Sequence, residues 1–129
     1  MSRTAQNRAY LAGQDMTSSF NAPTVFIKHL NGYSVVVTAT WTSGTLAGTF
    51  KLQASNDALT DDNAEAANPT ATWVDVAGSP FSVSITSGSV SNMWNVSQPF
   101  YEYFRLVWTS SSGVGTANAN FFAKQNGSN

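Results

Sequence analysis

Residues 48–57 read GTFKLQASND, and their alternation constrains the fold more than any other feature of the chain. Phe50, Leu52 and Ala54 alternate with Lys51, Gln53 and Ser55, which is the period of a strand with one buried face. Asn56-Asp57 ends the run with side chains that hydrogen-bond their own backbone and favour turns. After a polar excursion from Ala58 to Thr72, Trp73-Val74-Asp75-Val76 supplies a returning strand. The expectation is a β-hairpin with a long acidic tip.

The same period recurs along the chain. Val25 and Ile27 alternate with Phe26 and Lys28, and Asn31-Gly32 follows, a strong two-residue hairpin signal. Residues 33–41 are rich in β-branched side chains and fit a central strand. Phe81, Val83 and Ile85 form a one-sided strand after the Gly78-Ser79-Pro80 turn, and Met93-Trp94-Asn95-Val96 a short one. In residues 101–108, Phe104, Leu106 and Trp108 share one face while Tyr101, Tyr103 and Val107 flank Arg105 on the other. Ala117, Ala119, Phe121 and Ala123 complete the domain beyond a Ser/Gly loop. About eight closely spaced strands without an amphipathic helix predict an all-β fold, an antiparallel β-sandwich of jelly-roll type. Residues 1–20 have too few apolar positions for a helix and read as an extended N-terminal arm, followed by a sandwich domain over 21–125 and a polar tail over 126–129.

Composition narrows the function classes. Only 10% of the 129 residues are charged, against about a quarter in an average protein, so solubility rests on Ser, Thr, Asn and Gln or on coverage by partners. A net charge of −1 argues against nucleic acid as the main ligand, because phosphate binding needs clustered Lys and Arg. There is no cysteine, hence no disulfide or thiolate metal site. No apolar run has signal-peptide or membrane-span length, so the expected product is made in the cytosol without secretion.

Sites of chemistry are sparse. A catalytic triad would have to use His29, the only histidine, which reads as an ordinary strand residue. Asp75 and Glu102 are the best carboxylate pair for glycoside hydrolysis, yet both read as solvent-facing strand residues. No enzyme is expected, and no cofactor. Asp57, Asp61, Asp62 and Glu65 offer oxygen ligands of the type Ca²⁺ takes, but their spacing matches no EF-hand, and a solvated acidic loop is the preferred reading. Among the aromatics, Trp41, Trp94 and Trp108 are assigned to the core. Trp73, Tyr101 and Tyr103 are the candidates for exposed contacts, such as stacking against a sugar.

Taken together, GTFKLQASND with TWVDVAGSP, then SNMWNVS, then YEYFRLVWTSSSGVGTANANFFAKQ resembles small all-β proteins encoded among the structural genes of bacteriophages. The resemblance spans residues 46–124. It implies a capsid-associated virion protein, either a decoration (cement) or a vertex (spike) subunit. Its partners would be its own copies, with a trimer preferred, and virion proteins such as the major capsid protein. It would be made in the host cytoplasm and located in the virion. Residues 1–20 would then lie across a neighbour, anchored by Arg3, Arg8, Tyr10 and Leu11. A similar rhythm occurs in discoidin-like carbohydrate-binding domains, implying a lectin-like module as the alternative, although the 15-residue excursion between Asp57 and Trp73 exceeds their tight turn.

Overall fold

The computed structural model describes residues 4–27, 32–57, 70–97, 99 and 101–125. The described residues contain no helix; eight strands form one antiparallel sheet. They are β1 (Thr4–Asp15), β2 (Phe20–Asn21), β3 (Val25–Phe26), β4 (Gly32–Ser55), β5 (Val74–Asp75), β6 (Phe81–Ile85), β7 (Ser89–Ser97) and β8 (Tyr103–Gln125). The all-β expectation holds, and the strands account for its alternation: Tyr33, Val35, Val37 and Ala39 are buried on β4, as are Ala117, Ala119, Phe121 and Ala123 on β8.

Two strands organise the sheet. β4 and β8, 24 and 23 residues long, pair from Gly32↔Lys124 to Ser55↔Tyr103. A straight 24-residue strand would span about 80 Å, against a radius of gyration of roughly 14 Å for a chain of this size. The ribbon must therefore bend, and it does so where the register shifts, between Trp41 and Gly48 of β4. On one side of the corner, residues 32–41 and 115–125 carry β7 and β1; on the other, residues 46–55 and 103–112 carry β5, β6, β2 and β3.

The two halves pack face to face as a sandwich. Tyr33 of the first layer stacks on Phe104 of the second, with ring centroids 4.1 Å apart and planes 6° from parallel. Tyr10 and Phe121 meet the edges of Phe104 from the first layer, and Phe81 meets Trp94. Trp108 lies at the corner against Phe50, and its indole N–H donates to the Met16 carbonyl at 3.0 Å. A side chain at Gly48 would run into the Trp108 ring and the Thr109 carbonyl, so the tight packing at the corner requires glycine there.

Three expectations need correction. Asn31 lies outside the described residues, but β3 pairs with Tyr103–Phe104 of β8 and not with β4, so the Asn31-Gly32 signal does not join two paired strands. The hairpin expected over 48–76 is formed, but its ladder of β4 with β5 is only two residues long, because β6 takes the adjoining residues on that edge of β4 while β8 holds the opposite edge. The boundary at residue 20 is not a boundary of the fold. β1 pairs with β8 from Thr4↔Gln125 to Asp15↔Thr116, and Leu11 and Met16 are core residues. The segment is extended, as read, but runs along its own sheet because β8 offers an unpaired edge on the side away from β4.

Removal of residues 1–20 should therefore unfold the domain or lower its thermal midpoint by many degrees, where loss of a free arm would leave melting unchanged. Phe104→Ala should cost about 3–5 kcal/mol through the cavity it opens between the layers, read as a shift of the urea midpoint at constant slope.

Candidate functional site

The outer faces of the two layers differ in chemistry. In an antiparallel ladder, residues directly opposite share a face. On the first layer the three middle rows outside the core are Phe122, Ser34 and Asn95; Ala9, Asn120, Val36 and Met93; and Asn118, Thr38 and Ser91. None of these middle-row side chains carries a charge, and the ladder continues to Asp15, opposite Thr116, at one end and to the position of Lys124, opposite Gly32, at the other. Thr38 and Ser91 share a hydroxyl–hydroxyl hydrogen bond of 2.8 Å, and Asn118 Oδ1 accepts from the Gly13 N–H at 2.8 Å. Two large apolar side chains stand out from this polar lawn, Met93 at 57% exposure and Phe122 at 41%.

The second layer carries charge. The register sets Arg105, Gln53 and Asp75 side by side across β8, β4 and β5. Gln53 Oε1 accepts from Arg105 Nε at 3.0 Å and Nη2 at 2.8 Å, while Gln53 Nε2 donates to Asp75 Oδ1 at 3.0 Å. Lys51 Nζ closes the network on Asp75 at 3.0 Å. The Arg105 guanidinium lies 4.1 Å from the centroid of the Trp73 ring, a cation–π contact. The hydrogen bond from Gln53, then that from Lys51, holds the Asp75 carboxyl below the usual carboxylate range. Burial lowers the Arg105 guanidinium from its ordinary value. Alternation placed Lys51, Gln53 and Arg105 on a polar face, but their joining into one network depends on register, which alternation alone does not give.

A cleft of about 580 Å³ opens beside this network, walled by Ala54, Val74, Val76, Ala77 and Tyr101, with Asp57 and Asp75 also lining it. The Thr72 N–H, then the Ser55 hydroxyl, hold the Asp57 carboxyl below its ordinary range, each bond at 2.9 Å. Asp75 is engaged as described, so the cleft combines aliphatic walls with carboxylates already bonded inside the fold.

The residues singled out from sequence meet different fates. Asp61, Asp62, Glu65, His29 and Arg3 lie outside the described residues, as does the side chain of Arg8. Among the described residues, no three His, Cys, Asp or Glu side chains gather as metal ligands. Glu102 does not line the cleft that Asp75 lines; its N–H donates to Asn56 Oδ1 at 2.9 Å. Tyr10 and Leu11, expected as anchors for a neighbour, are engaged within the chain itself. Leu11 is in the core, and the Tyr10 hydroxyl donates to the Pro23 carbonyl at 2.6 Å and accepts from the Leu106 N–H at 3.2 Å, bridging the layers. Tyr103, expected to be exposed, is 2% exposed beneath Phe26. Tyr101 is half-buried and shares a 2.5 Å hydrogen bond with Tyr33. Trp73 is half-buried and pairs with Arg105. The three aromatics therefore form no open stacking platform. Trp94 and Trp108 are buried as expected, whereas Trp41 is only partly so.

No protein-family profile matches the chain, and no curated protein does. Solved structures do share its fold. The SPBc2 prophage-derived protein YomS is 11% identical over 97% of this chain and 96% of its own, with a TM-score of 0.52. A chain of infectious bursal disease virus, Gx strain, is 14% identical over the whole of this chain with a TM-score of 0.57, and this chain spans 34% of that longer one. The Tobacco streak virus coat protein dimer is 8% identical over 98% of this chain and 89% of its own, but its TM-score of 0.45 is too low to carry an argument. At these identities the likeness is one of fold.

Two substitutions probe this geometry. Tyr10→Phe strands the Leu106 N–H between the layers and should cost about 1–3 kcal/mol, visible as a lower urea midpoint. Asp57 and Asp75 have folded pKa values below their unfolded value of about 3.9. Their contribution is present above that value and is lost as pH falls through the folded pKa values. The thermal midpoint should fall below about pH 4, and Asp57→Asn with Asp75→Asn should make that fall shallower.

Proposed function

We propose that this chain is a structural subunit of a bacteriophage virion, acting through protein–protein contacts without catalysis. The observation that carries the reading is the uncharged middle of the first layer's outer face, the three rows around Met93 and Phe122 that lie between the positions of Asp15 and Lys124. Burying a charge in an interface costs several kcal/mol unless it is paired, whereas hydroxyls and amides exchange water for partners at small net cost. Interface cores are correspondingly poor in charged residues and enriched in Met and aromatic side chains. The rows around Met93 and Phe122 have that composition, on a rigid pleated surface. The fold shared with a prophage-derived protein of nearly equal length and with a viral chain supports the same assignment, although fold alone does not fix function.

Within the virion, a capsid-associated place fits best, as a decoration (cement) or vertex (spike) subunit. The first-layer face would lie against a neighbouring virion protein or another copy, with the charged second layer turned to solvent. A closed, symmetric homo-oligomer is the expected assembly state.

Particles purified by density gradient from a host carrying this gene should contain the chain in a fixed ratio to the major capsid protein. Recovery solely in the particle-free lysate would sink the proposal. Phe122→Glu sets a charge in the face while leaving the core intact, and should lower incorporation at least roughly ten-fold, the equivalent of about 1.4 kcal/mol.

A further inference from the structure

The sheet has two long edges, and they differ. β1 is guarded: its register with β8 shifts twice, between Ala9 and Leu11 and between Leu11 and Gln14, and its sequence carries Arg8 and Asp15. Bulges and charges of this kind protect an edge strand from pairing with other chains. β7 has neither. It pairs with β4 in unbroken register from Gly32↔Ser97 to Thr40↔Ser89, and its sequence SVSNMWNVS contains no charge, proline or glycine. Among the described residues, β4 is its only strand partner.

The direction of its free backbone groups follows from the register. Trp41 N–H donates to the Gly88 carbonyl at 2.9 Å, which makes Thr40↔Ser89 a non-hydrogen-bonded pair. By alternation, Val90, Asn92, Trp94 and Val96 exchange bonds with β4. Ser89, Ser91, Met93, Asn95 and Ser97 turn their N–H and C=O groups away from the sheet.

The strand is also nearly symmetric about its centre. Read in both directions from Met93, it meets Asn92 and Trp94, then Ser91 and Asn95, then Val90 and Val96, then Ser89 and Ser97. A second β7 laid antiparallel on the two-fold axis through Met93 sets Val90 opposite Val96, Ser91 opposite Asn95 and Ser89 opposite Ser97. The outward-facing residues then pair with one another, so the bonding parity agrees with the side-chain symmetry. We infer that β7 is a self-complementary edge that joins two copies of this chain, β7 to β7, into a continuous eight-stranded sheet ordered β1-β8-β4-β7-β7-β4-β8-β1. This is an isologous contact, made by main-chain bonds in the manner of strand addition. Met93, 57% exposed in the single chain, becomes a cross-strand pair with its own copy. The inference does not depend on the virion reading.

The chain has no cysteine, so engineered thiols report this register cleanly. Opposed residues of a hydrogen-bonded antiparallel pair have Cα atoms about 5.5 Å apart, within the 4.4–6.8 Å that a disulfide spans. The two copies of Met93 would stand at that separation, while the two copies of Ser91 would be offset by four residues, roughly 13 Å. Under mild oxidation, folded Met93→Cys should form a covalent dimer at least about ten-fold faster than folded Ser91→Cys, by that difference in reach. Adding Asn95→Pro to Met93→Cys removes an outward N–H while sparing the ladder with β4, and should return the rate to the Ser91→Cys level. Equal rates for the two cysteine variants, absence of dimer in both, or a Met93→Cys dimer indifferent to Asn95→Pro would each overturn the inference. None of these outcomes bears on whether the chain is recovered in particles.

Discussion

The ladder between β4 and β8 is the interaction on which every other element depends. β1, β2 and β3 all pair with β8, while β5, β6 and β7 all pair with β4. Because both strands are too long to remain straight in so small a domain, the ladder has to bend, and the bend turns one sheet into two opposed layers. The core is the inside of that fold: Tyr33 and Phe104 sit on the two arms of the ribbon and meet only because it closes. Ser79 shows how the closure is completed without an orphaned polar group. Its hydroxyl bonds both the N–H and the carbonyl of Leu52, and its own carbonyl accepts from the Trp94 indole at 2.7 Å. One buried serine thus links the two layers.

The alternation of apolar residues made the strands legible from sequence, since period two reports which side of a strand faces a core whatever its partner is. It does not report the partner. Asn31-Gly32 looked like a hairpin because local turn chemistry was all that could be read, whereas β3 finds its ladder on β8, far along the chain. The first twenty residues looked like an arm because only Tyr10, Leu11 and Met16 among them are sizeable and apolar, apart from the terminal Met1 and Phe20. An edge strand with a single buried stripe needs no more than that, and register shifts at Leu11 break even its alternation. Tyr103 and Val107 were unreadable for a related reason. They face away from the interlayer core, yet Tyr103 is covered by Phe26 on β3 and both are buried. Coverage of an outer face by short flanking strands leaves no mark on the period.

The contrast between the two outer faces is what makes the candidate surface more than a list of exposed residues. A chain with so few charges has little freedom in where it spends them. Lys51, Arg105 and Asp75 are gathered on the second layer and tied together through Gln53. The first layer keeps its three middle outer rows free of charge, with Asp15 and Lys124 at the ends of the ladder, and presents there hydroxyls, amides, a methionine and a phenylalanine. Hydration of the second face is secure because charged groups resist desolvation. The first face holds its water far less strongly, and it is the one that can give up solvent to a partner.

Sequence distance adds a constraint on how the chain reaches its folded state. β1 opens the described chain and β8 closes it, yet Thr4 lies opposite Gln125, and β4 and β8 pair residues as far apart as Tyr33 and Ala123. Three of the eight strands have no partner until the last strand has been made. Contacts of this range carry a large loop-closure cost before they reward it, so folding is slow relative to local topologies. During that interval the uncharged segments are exposed together, and sequences without charge or proline are prone to pair with one another. A protein of this design gains when its edges and faces are promptly occupied by defined partners. On the proposed virion role, assembly and folding favour the same low-charge surface, and that role accounts for the composition that looked unusual in the isolated sequence.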